Sequence, residues 1–388
     1  MRHHRSRRRG VVACIAALVL ALSAGQAVNG APATAAPISG ADASDVAQAK
    51  EQAARGLARS LSDAAWRDHV RRTVLSSGEV AVTTLAEGAD RQLQAKLTEA
   101  DRRVAASKGL PAGVGSLLRL RLGTDSMRAA LAAGATPWVA AAASDDGTRT
   151  ATAYDSRGRA HALDTRTPPR HPVYVVDIDG AKALAAGIEV LKEQLGRYGL
   201  TSSVKAGPAP SVMSDAPAAS SSATGSGFWT TRITSVRLSD DEEPWIKGNA
   251  EIYTLVTGFG HDGKVRVDPV DMPYLDDDGV TYHPNQVLVN WSLYKYNLAD
   301  AVMMEDDDGT NYRNLAKAIA AVLLTVVDQG AYIPLVSAVL DAMPDSWWTD
   351  DDDYVDSWYT LARSDSGVRK GARGNGTMTV QPYFVEQF

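Results

Sequence analysis

The hydrophobic period of this chain changes more than once along its length. From Val46 to Val104 apolar residues recur every three or four positions: Val46, Ala53, Leu57 and Leu61, then Trp66, Val70 and Val74, then Leu93, Leu97, Ala100 and Val104. These stripes predict amphipathic helices, with Ser62 and Asp63 placed to cap the second. After Pro137 the period falls to two. "WVAAAAS", "TRTATAYD" and "RAHAL" are separated by "DDG" and "SRG" turns, and "PVYVVDID" is a further strand. "AKALAAGIEVLKEQLGRYGL" restores a helical period.

From residue 228 onward the pattern is mostly that of short strands. "FWTTRITSVRL", "NAEIYTLVTGF", "KVRVDPVDM", "NQVLVNW", "DAVMME", "DSWYTLAR" and "TMTVQPYFV" are β-rich runs divided by Gly, Pro and Asp. Their number and spacing predict an antiparallel β-sandwich. One insertion, about residues 311–343, breaks it. Tyr312, Leu315, Ile319, Leu323 and Val326 share a helical face, and "PLVSAVLDAM" continues as a second short helix, both expected to pack on the sandwich. The fold class is therefore α+β: N-terminal helices with a small antiparallel sheet, then a sandwich with a helical insertion.

Composition adds boundaries to this pattern. "MRHHRSRRRG" followed by "VVACIAALVLALSA" and a small-residue "ATA" reads as an export signal over residues 1–35, cut near Ala36. Its removal takes away Cys14, the only cysteine, and with it any disulfide, thiolate nucleophile or cysteine metal site. No later run is apolar and long enough to span a bilayer, so a secreted protein is expected. Residues 206–227 are almost wholly Ala, Gly, Pro, Ser and Thr, a linker between domains at 36–205 and 228–388. The first domain carries 23 Lys+Arg against 19 Asp+Glu; the second carries 12 against 26, a net of −14. Opposite charges permit the two to dock, and a 22-residue linker permits independence.

The acidity is clustered. Carboxylates gather at Asp240–Glu243, Asp276–Asp278, Glu305–Asp308 and Asp350–Asp353 with Asp356, each just outside an expected strand. Adjacent charges about 6 Å apart repel by about 0.7 kcal/mol in water and roughly four times that near a protein surface, so a pinned run needs a counter-charge. A sandwich gathers alternate loops at one end, and several carboxylates there make a hard-oxygen site suited to Ca²⁺. The candidate ligands are Asp240, Asp241, Glu243, Glu305, Asp306, Asp308, Asp351, Asp352, Asp353 and Asp356. Counting back from Gly279 or Gly309 puts Tyr274 or Met304 at the first ligand position, so neither loop is an EF-hand. "DDDG" at Asp276–Gly279 reads equally as a turn. Six of the eight tryptophans lie in this segment; on a strand the adjacent Trp347 and Trp348 point to opposite faces, and the second ring is expected to fill a groove under the helices rather than to stand exposed for a sugar or lipid.

The runs "DDEEPWIKGNAEIY", "VDMPYLDDDGVTYHPNQVLVNW", "MMEDDDGTNYRNLA" and "MPDSWWTDDDDYVDSWY" resemble an exported bacterial family known as domain of unknown function 3103. The likeness covers nearly all of residues 228–388 and is thinner before them, at "ATPWVAAAA", "TATAYDSRG" and "HPVYVVDID". The family implies no established activity. The layout is also similar to a C2-type sandwich, which implies Ca²⁺ held by acidic loops at one end.

Catalytic motifs are missing. There is no Gly-x-Ser-x-Gly elbow, no His-Glu-x-x-His helix and no phosphate loop. His161 and His171 read as structural, and His261 and His283 as surface histidines. The expected protein is a calcium-stabilised, non-enzymatic binding module; candidate partners are a cell-surface glycan, a lipid headgroup or a protein. The acidic balance excludes nucleic acid. The alternative is a hydrolase in which paired carboxylates, such as Glu305 with Asp353, act on a glycan or peptide.

Overall fold

Helices open the chain, as the period demands. The computed structural model describes residues 41–143, 148–201, 227–239, 245–248, 250–306, 308–343 and 354–386. The expected leader, most of the linker, and the acidic runs Asp240–Glu243 and Asp350–Asp353 lie outside these residues, as do Trp347 and Trp348. Helix α1 spans Ala41–Ser60 and α2 spans Ala64–Ser77, followed by strand β1 (Glu79–Ala81), α3 (Val82–Ala86) and α4 (Arg91–Ser107). Asp63 caps α2 by accepting the Trp66 N–H at 2.7 Å, and Asp90 caps α4 in the same way.

Strand β2 (Leu118–Leu122), helix α5 (Arg128–Ala132), and strands β3 (Trp138–Ala141), β4 (Thr150–Tyr154), β5 (Ala160–Asp164) and β6 (Val173–Ile178) complete the first half with α6 (Gly180–Arg197). They form one six-stranded sheet in the order β1-β2-β6-β3-β4-β5. It is antiparallel except where β3 runs parallel to β6. On β6, Tyr174 and Val176 face the helices while Val173 and Val175 face a second apolar cluster with Ala140 and Ile246. Covered on both sides, this strand reads as the unbroken apolar run "PVYVV". The His161 ring stacks on Trp138 at 4.1 Å, and the His171 ring meets it at a tilt at 4.3 Å.

The second half is a sandwich of two four-stranded antiparallel sheets. One contains β7 (Gly227–Leu238), β10 (Gln286–Asn290), β13 (Gly367–Lys370) and β14 (Gly376–Glu386); the other contains β8 (Ile252–Phe259), β9 (Val265–Asp271), β11 (Leu298–Glu305) and β12 (Tyr354–Ala362). Ile233, Val236, Ile252, Val256, Ala301, Met303, Trp358 and Val380 pack between them. The opposite face of the second sheet, through Tyr253, Leu255, Phe259, Val302 and Met304, packs in the same core as α1, α4 and α6. The insertion contributes α7 (Tyr312–Leu323) and α8 (Val336–Leu340) to that core. The described residues thus fall in one compact unit, so the basic and acidic segments dock on a shared core. No described helix is long and apolar enough to cross a membrane.

Two close approaches fix the helical layer. The Tyr312 ring lies over Gly187 of α6, where a Cβ would fall 2.0 Å from it. Gly187→Ala is expected to cost about 1–3 kcal/mol by overpacking, read as a lower urea midpoint at unchanged slope. Helix α4 also ends against the start of α7. The Asn311 side chain donates to the Ser107 carbonyl at 2.6 Å, the Tyr312 N–H to that of Lys108 at 3.2 Å, and the Arg313 Nε to that of Gly109 at 2.8 Å. Carbonyls at the negative end of one helix are thereby satisfied by donors at the positive end of another.

Candidate functional site: a buried charge junction and one end of the sandwich

The described strand ends that border the acidic runs lie at one end of the sandwich. Glu305, closing β11, pairs with Ile252 at the start of β8, and Met304 pairs with Tyr354 at the start of β12. Leu238, closing β7, pairs with Gly376 at the start of β14, and the Gly376 N–H reaches Asp356 of β12. These strand ends meet because alternate strands of an antiparallel sheet end together.

Of the ten candidate ligands, Asp240, Asp241, Glu243, Asp351, Asp352 and Asp353 lie outside the described residues. The other four have neighbours within the protein. Asp306 pairs with Lys108 at 3.2 Å, and both side chains are almost completely buried. Asp308 pairs with Lys50, which is 1 % exposed. Both lysines come from the helical half, Lys50 from α1 and Lys108 from the turn after α4. Asp356, fully buried, accepts N–H bonds from Ser357 and Arg373 at 2.7 Å and Gly376 at 2.6 Å. Its carboxylate fills the space beside Gly371, where a Cβ would lie 2.1 Å away, so it fastens the two sheets together at this end. Glu305 is buried at the last position of β11. Among the described residues, no group of three or more His, Cys, Asp or Glu side chains is arranged to hold a metal ion.

The lysine–aspartate pairs belong to a larger junction. Lys108, Lys247, Asp177, Glu251, Asp306 and Asp308 border a cavity of about 40 Å³ between the two halves, room for a water or two. The Glu251 carboxylate sits against Gly180 in the first turn of α6, where a Cβ would clash at 2.0 Å. A negative group there complements the helix N-terminus. Arg121 bonds Asp177 at 3.1 Å and the carbonyls of Ile246 and Lys247 at 2.9 and 2.5 Å, tying the first sheet to the segment before β8. Burial raises the Asp306 carboxyl above its ordinary range, against the pull of Lys108, Tyr312 and Thr310. Burial and the charge of Asp306 push the Tyr312 phenol well above its own.

Chemically, this arrangement clamps. The desolvation of a buried ion pair roughly offsets its attraction, so such pairs add little net stability but penalise any mismatch heavily. Sequence reading overlooked Lys50, Lys108, Glu251 and Tyr312 as its members. Lys50 had a local signal, since it sits four residues after Val46 on the apolar stripe of α1, where a charge is out of place. Asp276–Asp278 precede Gly279, whose φ is +66° and whose N–H bonds the Leu238 carbonyl, a turn as one reading expected.

A helix-backed α+β protein, with a sandwich locked to its helical half through buried charge pairs, is the class these observations define. The chain belongs to the family described as Protein of unknown function (DUF3103), whose model matches residues 46–388. No curated protein and no solved structure matches it.

Proposed function

We propose that this is an exported, non-enzymatic binding module in which the charged junction serves the fold and ligand binding takes place elsewhere on the sandwich. One observation carries the reading: four carboxylates of the acidic half, Asp300, Asp306, Asp308 and Asp356, are engaged from within. Asp306 and Asp308 meet lysines, Asp356 meets three backbone N–H groups, and Asp300 accepts those of Leu335 and Thr360 at 2.5 and 2.7 Å. A general acid or nucleophile needs a carboxyl that reaches substrate, and these reach protein donors instead. His261 and His283 are exposed, and their rings bond the carbonyls of Ser292 and Thr234.

Calcium has a stabilising role on this reading. It is assigned to the runs Asp240–Glu243 and Asp351–Asp353 rather than to Asp306, Asp308 or Asp356, which already meet protein donors. The support is the common end of the sandwich at which the strands bordering those runs begin or end. Thermal melting of the full chain with Ca²⁺ and with EDTA tests it. A melting temperature several degrees higher in Ca²⁺ is expected, since a site filled at 100 times its dissociation constant adds about 2.7 kcal/mol. Coincident curves, with no heat on calcium titration, would remove the ion from the account. Release of reducing ends or new amino termini from glycan or peptide substrates would overturn the non-enzymatic part.

A further inference from the structure

We infer that the end of the sandwich opposite the acidic runs binds a neutral glycan, in a groove floored by Trp229 and edged by Arg363, Asn297 and Ser364. This rests on the binding-module reading and names its ligand class. The groove arises from unequal strand lengths. β7 has 12 residues, while β11, in the facing sheet, has 8. Along the inner face of β7, exposure rises from Ile233 at 0 % and Thr231 at 1 % to Trp229 at 40 %, because the other sheet stops short. An inward-facing tryptophan is left at the mouth of the sandwich. Leu298 at the start of β11, Tyr296 before it and Arg363 just after β12 complete a groove of about 630 Å³, within the size range of small-ligand sites.

The indole is held in place. Phe384, its cross-strand partner on β14, meets it edge to face at 5.4 Å, and the Arg363 guanidinium lies over it at 5.3 Å. The Arg363 N–H bonds the Asn297 carbonyl at 3.0 Å, so the two rim residues are fixed to each other. Among the described residues Arg363 has no carboxylate partner within ion-pair distance. The site thus joins a rigid, half-exposed aromatic plate to a guanidinium fork that stacks on it without a carboxylate partner, an amide and a hydroxyl. A pyranose ring matches this set, with an apolar C–H face for the indole and hydroxyls for the rim. The net charge of −14 on residues 228–388 repels polyanions, which favours an uncharged sugar over an acidic one.

The test is native affinity electrophoresis of the full chain in gels containing a soluble β-glucan, a galactomannan, dextran or polygalacturonate. Retardation by at least one neutral polymer is expected, weakened tenfold or more in Trp229→Ala and reduced in Arg363→Ala, with melting temperatures unchanged. No retardation by any neutral polymer, retardation by polygalacturonate alone, or equal retardation of folded Trp229→Ala would each overturn the assignment. Running the same polymers in a reducing-end assay separates the two claims. Turnover with binding intact sinks the non-enzymatic reading and leaves the groove, whereas absent binding without turnover sinks the groove alone.

Discussion

Lys108→Met is expected to destabilise the protein by about 3–5 kcal/mol, measured by urea unfolding at neutral pH, because it leaves the Asp306 charge buried without its cation. Replacing both partners, as Lys108→Met with Asp306→Leu, should recover most of the loss, since a buried ion pair and a well-packed apolar pair are of similar net worth. The pH dependence has a definite sign. Asp306 already has a raised pKa in the folded protein, so it holds its proton more tightly folded than unfolded. The stability it contributes is complete below the unfolded value and falls as pH rises through the folded one. Without Lys108 the carboxyl rises further. The deficit of Lys108→Met should therefore be largest near neutrality and shrink on acidification toward the ordinary aspartate range near about 4. A deficit that is flat with pH, or below about 1 kcal/mol, would show that the pair is not the clamp described. Calcium should leave this deficit unchanged, because the lysine supplies the counter-charge.

Asp356→Ala is the second large effect, with an expected cost of at least about 3 kcal/mol. Three N–H groups lose their acceptor, two of them on the buried Ser357 and Gly376, and each unsatisfied buried donor costs about 1–3 kcal/mol. Asp356→Asn keeps one oxygen and should fall between the two. Amide hydrogen exchange localises the effect: protection of Ser357, Arg373 and Gly376 should drop together, because one carboxylate holds all three. An alanine variant within 1 kcal/mol of the parent would mean that the two sheets are joined at this end by something else.

The question raised by the acidic runs has a partly unforeseen answer at Asp306 and Asp308. Local repulsion among Glu305–Asp308 correctly demands cations, and the cations present are Lys108 and Lys50, 198 and 258 residues away. No periodicity or motif connects positions so far apart. The run "LRLRL" at Leu118–Leu122 carries a period-two signal for β2, but it is only five residues long and follows the longer helical stripe of α4. The four residues of β13 are too few to carry a pattern. The parallel β3–β6 pair follows from how the chain crosses over, which alternation alone does not specify.

From the sequence by itself follow the helices, whose stripes at Val46–Leu61 and Leu93–Val104 are the buried faces observed, and most of the sandwich strands with the helical insertion between β11 and β12. These are local consequences of side-chain period, legible because burial repeats with the backbone. Tertiary structure alone decided that the basic and acidic halves share one core, that lysines answer Asp306 and Asp308, that Asp356 serves backbone amides, and that Trp229 stands half-exposed beside Arg363. Each of these depends on which distant surfaces meet and where one sheet ends before another, and packing in three dimensions sets both.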